Sequence, residues 1–298
     1  MRVLVFGSTG QVGRELARAI WPAGTELISL NRAAADFANP QSLGALVDAH
    51  APDAVVIAAA YTAVDKAEAE EGLATRINAE APGAIAAAAA RNAAPVIHFS
   101  TDYVFDGEKD GFYTETDPVA PKSAYGRTKL AGEELVRAAN TRHFIFRTSW
   151  VYSAHGTNFV RTMLRLAETR DEVGVVSDQH GCPTAAADIA HAMARIVPKV
   201  LESATSAGLY HLAGSSATTW HGFAEAIFSK YAARGFRRPR NTAISTREYP
   251  TAAVRPKNSR LDCRKLAQEF GITMPGFEAA IGPVLDELLG TVRAKGAA

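Results

Sequence analysis

The sequence predicts a doubly wound α/β fold, a parallel sheet covered by helices on both faces, with a smaller portion attached through the second half of the chain. Three observations carry this expectation. Short apolar runs alternate with helix-length segments through the first 150 residues. The runs are apolar at successive positions, as strands buried on both faces are. A glycine-rich turn separates the first run from the first helical segment.

The elements follow in order. Arg2–Phe6 (RVLVF) opens the sheet, and residues 12–20 form the first helix. Glu26–Leu30 (ELISL) is the second strand, followed by a helix over 41–50. Residues 54–58 (AVVIA) make the third strand, and the alanine-rich stretch 74–91 a helix whose small side chains let it sit close to the sheet. Residues 96–100 (VIHFS), the helix Ala124–Ala139 and residues 144–147 (FIFR) complete the alternation. Right-handed crossovers then give the doubly wound arrangement. Beyond residue 150 the pattern loosens. Helices are expected over 158–168, 185–197, 220–231 and 277–289, and strands over 173–176 and 209–212. Residues 235–257, rich in Arg and Pro, read as irregular chain.

Composition narrows the function classes. The 298 residues are 47% apolar and 21% charged with a formal net charge of +1, so bulk attraction to nucleic acid is not expected. No apolar run reaches membrane-spanning length, and Met1 leads straight into a strand, so neither a membrane span nor a secretory signal is expected. The two cysteines, Cys182 and Cys263, lack Cys or His partners at metal spacing. They are expected as reduced thiols of a cytoplasmic protein, with one long-range disulfide as the alternative.

Gly7-Ser8-Thr9-Gly10-Gln11-Val12-Gly13 directly follows the first strand and opens the first helix, the context a dinucleotide fingerprint needs. Glycines let the backbone approach a pyrophosphate, and the helix N-terminus offers free N–H groups and partial positive charge. Residues 1–150 are therefore expected to bind a dinucleotide, with later segments returning to the sheet, and residues 151–298 to supply mainly substrate contacts. The second strand ends in Asn31-Arg32, with no acid before Asp36. Arg32 there suits the 2′-phosphate of NADPH, a solvated surface arginine being the alternative.

Tyr125 and Lys129, spaced i and i+4, share a face of the helix Ala124–Ala139. A free tyrosine titrates near pH 10, about three units too high for ready proton exchange at neutrality, and a neighbouring ammonium is expected to lower that value. Ser100-Thr101 end the fourth strand at its C-terminal edge, where open α/β sheets keep their ligands, and a hydroxyl there can assist Tyr125. Arg255 and Asn258-Ser259 could grip a nucleotide diphosphate, a loop arginine paired with a carboxylate being the alternative for Arg255. Asn158-Phe159 is a further candidate for substrate contact, whereas Trp220 is explained by N-capping and core packing. No histidine has a partner at zinc spacing, and no metal site is expected.

Seven segments then carry a resemblance over essentially the whole chain: FGSTGQVG at 6–13, AAAYTAVDKAE at 58–68, HFSTDYVFDG at 98–107, YGRTKLAGE at 125–133, FRTSWVY at 146–152, DQHGCPT at 178–184 and RPKNSRL at 255–261. In these the chain resembles the dTDP-4-dehydrorhamnose reductase family of the extended short-chain dehydrogenases/reductases. The resemblance implies reduction of the C4 ketone of dTDP-4-dehydro-6-deoxy-L-mannose to dTDP-L-rhamnose by NADPH or NADH. It implies Tyr125 as proton donor, Thr101 tuning it, and Lys129 holding the nicotinamide ribose. Asp102 and Trp150 would join the sugar site. Gly10, Gln11 and Val12 would line the pyrophosphate, Ala59, Ala60 and Tyr61 the middle of the cofactor, and Asp36-Phe37 the adenine. Some members of the family are magnesium-bridged dimers. Glu15 matches one ligand position, but Ala185-Ala186-Ala187 stands where the second carboxylate belongs, so a metal bridge is not expected while a homodimer stays open. Two rivals remain at this point. The first is a dehydratase or epimerase of the same superfamily; a dehydratase would want a second acid beside Thr101, where Tyr103 follows Asp102. A regulatory subunit with the cofactor fold would be expected to have lost Tyr125 or Lys129.

Overall fold

The computed structural model describes residues 1–202 and 206–296. Its centre is a six-stranded parallel sheet. Five strands come from the first half: β1 (Arg2–Phe6), β2 (Glu26–Leu30), β3 (Ala54–Ile57), β4 (Val96–Thr101) and β5 (His143–Thr148). The sixth, Gly208–His211, returns from the second half to pair with β5, giving the spatial order Gly208–His211, β5, β4, β3, β1, β2.

Alternation along each strand divides the core. Val3, Val5, Ala54, Val56, Phe144 and Phe146 face helix α1 (Gln11–Arg18) and the helices Ala186–Leu201 and Arg264–Phe270. Leu4, Phe6, Val55, Ile57, Val96 and Ile145 face helix α2 (Leu43–His50) and the helices Ala81–Arg91 and Ala124–Ala139. With both faces covered, a one-residue slip of any inner strand would exchange its two apolar sets, so the register is firmly specified. The helix Ala81–Arg91 continues, through a π-turn at Arg76–Glu80, a short helix begun at Glu71.

A second core gathers Val160, Phe223, Phe228, Ile281 and Leu285 from the helices Phe159–Thr169, Trp220–Ala232 and Phe277–Gly296, together with Tyr152 from the short strand Val151–Tyr152. Within the stretch 235–257, expected to be irregular, Arg240–Ile244 forms a strand parallel to Glu172–Val176. The correction has a simple cause: Arg240–Ile244 is half exposed and largely polar, so neither hydropathy nor length marks it, unlike its more buried, apolar partner strand. Among the described residues no helix is long and apolar enough to cross a membrane.

Candidate active site

The glycine loop leaves β1 with Gly7 at φ +90°, a conformation side chains rarely adopt, and its Cα lies so close to Ala59 that a Cβ would come within 2.6 Å of the Ala59 nitrogen. Gly13 presses against the same turn, its hypothetical Cβ 2.1 Å from the Gly7 carbonyl oxygen. Gly10 differs: the nearest protein atoms would be 3.4 and 3.9 Å away. Packing therefore dictates Gly7 and Gly13, while bare backbone at Gly10 keeps the start of α1 approachable. No side chain caps α1, and its first turn holds no acid. An uncapped helix end at the C-terminal edge of a parallel sheet fits a pyrophosphate.

The flanks of this cradle are fixed by hydrogen bonds. Asn78, buried on the π-turn, accepts the Tyr61 N–H (2.8 Å) and donates to the Tyr61 carbonyl (3.2 Å) and the Thr128 hydroxyl (3.1 Å). It thus ties the Ala59-Ala60-Tyr61 segment to the helix that carries Tyr125. Asn31 accepts the N–H groups of Ala33 and Ala34, both at 3.0 Å, so Arg32 projects from a fixed turn, exposed and with no side-chain hydrogen bond among the described residues. Phe37 corrects an expectation. Its ring is buried edge-on to Phe6, 5.8 Å between centroids, so it forms the floor beneath β2 while exposed Asp36 remains at the rim.

At the end of β4, Thr101 donates to Asp102 Oδ1 (3.0 Å) and accepts the Tyr103 N–H (3.2 Å). Asp102 is buried, and burial raises its pKa to about 6 against the opposing hydrogen bonds of the Ser259 and Thr101 side chains. Tyr125 stands opposite, edge-on to Tyr103 with centroids 5.4 Å apart. Its hydroxyl is pushed up to about 12, by burial first, with Thr101 pulling the other way and the Asp102 charge adding to the rise. The expected lowering by Lys129 does not occur among the protein's own groups. The ammonium is directed at the sheet, donating to the Phe99 carbonyl (2.7 Å) beside His98 Nε2 (3.2 Å), and burial lowers its own pKa to about 8.

Tyr103, not singled out from the sequence, faces both Tyr125 and Arg255. Arg255 is held by Asp65 Oδ2 at 2.6 Å, the carboxylate pairing weighed as its alternative, with Nη1 buried and unpartnered. Asn258 is engaged within the protein. Its Nδ2 donates to the Lys109 and Gly111 carbonyls (2.6 and 2.7 Å), and its Oδ1 accepts from Arg260 N and Nε (3.1 and 2.7 Å), which uses its full capacity. Asn158 is likewise spent: Oδ1 caps its helix at the Arg161 N–H, and Nδ2 reaches Gln11 Oε1 (2.9 Å) and the Ser153 carbonyl (2.8 Å). It braces the glycine loop.

Trp150 sits just past β5 with φ +49°, strained for a bulky residue. Its indole stacks on Trp220, centroids 3.5 Å apart and planes 7° from parallel, and lies so near Gly181 that a Cβ there would come within 2.3 Å. Thr219 does cap the helix of Trp220, accepting the Gly222 N–H at 3.0 Å, yet the Trp220 ring belongs with Trp150. Farther away, the ligand atoms of Glu15, His155 and Glu287 lie within 4.8 Å of one another, and the guanidinium of Arg18 is among them, 2.7 Å from Glu287 Oε1 and 2.8 Å from His155 Nε2.

The chain matches the family model described as RmlD substrate binding domain over residues 1–289. It is 45% identical over 296 residues to the dTDP-4-dehydrorhamnose reductase of Escherichia coli K12, spanning 98% of this chain and 99% of the relative. Among solved structures, a Clostridium acetobutylicum dTDP-4-dehydrorhamnose reductase superposes with a TM-score of 0.91 at 36% identity, covering 97% of this chain and all of the other. The Bacillus anthracis dTDP-4-dehydrorhamnose reductase, solved in complex with NADP, gives 0.89 at 35% identity over 96% and 99% of the two chains. Glycine cradle, Thr101–Tyr125 edge and tryptophan stack thus sit on a fold shared over nearly its full length with these enzymes, and the chain belongs to the dTDP-4-dehydrorhamnose reductase family.

Proposed function

We infer that this protein reduces the C4 ketone of dTDP-4-dehydro-6-deoxy-L-mannose to dTDP-L-rhamnose, with NADPH preferred over NADH. The observation that carries the reading is the placement of Tyr125: beside Thr101 at the C-terminal edge of β4, with the uncapped start of α1 on the same edge of the sheet. A nicotinamide cofactor held at the glycine loop and by Lys129 would supply the hydride for the C4 carbon. Tyr125, held protonated across the working range, gives its proton to the C4 oxygen as negative charge develops there. Thr101 orients that hydroxyl, and Lys129 holds the ribose. Asp102 and Trp150 bind the sugar, and Arg255, already positioned by Asp65, reaches the nucleotide diphosphate. Residues 151–298 provide most of the substrate contacts. A cytoplasmic location agrees with the free thiols of Cys182 and Cys263.

The test is spectrophotometric oxidation of NADPH by the purified protein with dTDP-4-dehydro-L-rhamnose, the product being identified by chromatography. Stoichiometric dTDP-L-rhamnose is expected. Absence of ketosugar-dependent oxidation overturns the reading.

Arg32 allows a separate prediction. Its exposed guanidinium beside the end of β2 would contact the 2′-phosphate. Arg32→Ala is expected to weaken NADPH binding by roughly 10-fold, the worth of one charge-assisted contact, and to leave NADH within about twofold. Equal weakening of both cofactors in a fluorescence titration would assign the arginine to the adenine instead.

A further inference from the structure

Lys129 is 1% exposed, and carrying a charge there is costly unless its donors are satisfied. An ammonium has three N–H donors. One goes to the Phe99 carbonyl at 2.7 Å, and a second is directed at His98 Nε2 at 3.2 Å. His98 lies on the same face of β4 as Ser100, fully buried, with Nδ1 lacking any partner. A lone pair on Nε2 places the ring proton on Nδ1, so the imidazole is neutral and forgoes a hydrogen bond at its far side. Burial first, and then the Lys129 charge, hold its pKa well below the usual histidine range, so this acceptor persists through the physiological range.

The other charges around the ammonium are already committed. Glu133, one turn along the helix, raises the Lys129 pKa through space, but both its oxygens are bonded to Arg147 and Ser100. Direct hydrogen-bonding therefore falls to Phe99 and His98, and the third N–H is left for a ligand.

We propose that His98 is a positioning residue for Lys129: its neutral imidazole and the Phe99 carbonyl fix two of the three ammonium donors, so that the third is aimed at the cofactor ribose. The assignment of that third donor rests on the function proposed above; the His98–Lys129 coupling does not. The sequence gives His98 no prominence, since it reads as one more residue of a buried strand.

The test compares wild type with His98→Leu, which removes the acceptor, and His98→Asn, which keeps one. Lysine labelled with ¹³C at Cε is followed by NMR across a pH series, the Lys129 resonance being assigned through Lys129→Met. In wild type one lysine is expected to titrate near 8. In His98→Leu that titration should fall by about one unit or more, a tenfold change in protonation ratio, and NADPH affinity at pH 7.5 should drop at least fivefold, as an acceptor lost from a buried cation predicts. Lowering the pH should recover part of that affinity, and His98→Asn should lie near wild type in both measurements. Thermal unfolding of each variant separates this from a packing defect. An unchanged lysine titration in His98→Leu overturns the proposal, as does equal loss in Leu and Asn variants of wild-type thermal stability. A wild-type protein that titrates as expected but ignores the ketosugar would overturn the proposed function and leave the coupling intact.

Discussion

Tyr125→Phe is expected to lower the turnover number by roughly 10²-fold or more, while NADPH binding stays within about twofold and the unfolding midpoint within a degree or two. The size follows from what the hydroxyl does. Burial holds it at about 12, so it remains protonated wherever the enzyme works. An alkoxide forming at C4 is a stronger base than this phenolate, so transfer runs downhill as hydride arrives. Asp102 titrates near 6 and is mostly ionised at neutral pH, so it cannot take over as donor there. Because the ring still fills its place against Tyr103, the substitution removes a proton source with little loss of packing. The Michaelis constant for the sugar should shift less than turnover, the mark of a group that acts mainly in the transition state. Turnover near wild type in the phenylalanine variant would mean that the proton comes from elsewhere, and would remove Tyr125 from its role.

Local features of this protein were readable from the chain, and distant pairings were not. The five strands of the first half are expected within one or two residues of where they lie, because each is a short, largely apolar run bounded by turns. The spacing of Tyr125 and Lys129 places both on one helix for the same reason: it depends on only five consecutive residues. What the spacing could not supply was the direction of the lysine, which follows from the Phe99 carbonyl and His98 on a strand 30 residues earlier. Asn78 and Trp220 were missed on similar grounds. Asn78 looks like any polar residue of an alanine-rich helix until the fold brings Tyr61 and Thr128 to it. Trp220 has a sufficient local explanation in its capped helix, and only tertiary structure stacks it on Trp150. Asn158 and Asn258 show the reverse error. Asn258 in a family-like segment and Asn158 shortly after the Trp150 segment suggest ligand contact, yet both are saturated by backbone and side-chain partners that sequence alone does not count.

The same helix face that carries Tyr125 and Lys129 continues to Glu133, and there the largest stability effect is expected. Glu133 is 0% and Arg147 2% exposed, and they meet in a two-point contact: Arg147 Nε to Oε1 at 2.8 Å and Nη2 to Oε2 at 2.7 Å. Ser100 donates to Oε1 as well, at 2.5 Å, and the guanidinium lies over the Phe105 ring, 4.9 Å from its centroid. Glu133→Gln keeps the shape but turns an acceptor into a donor facing Arg147, whose Nη1 already lacks a partner. A buried guanidinium would then stand without a counter-charge, which costs about 3–5 kcal/mol. Urea unfolding should report that loss, and the thermal midpoint should fall on the order of 10 °C. Replacing both residues at once, Glu133→Leu with Arg147→Met, should restore much of the stability, because removing a buried pair outright is far milder than orphaning one member. If Glu133→Gln unfolds within about 1 kcal/mol of wild type, the pair is not a buried ion pair in solution, since even an ordinary exposed pair is worth up to that much. The location gives the pair its importance. Ser100 precedes Thr101 on β4 and pairs in register with Arg147 on β5, so one carboxylate fastens the catalytic helix to both strands directly behind the hydroxyl that orients Tyr125.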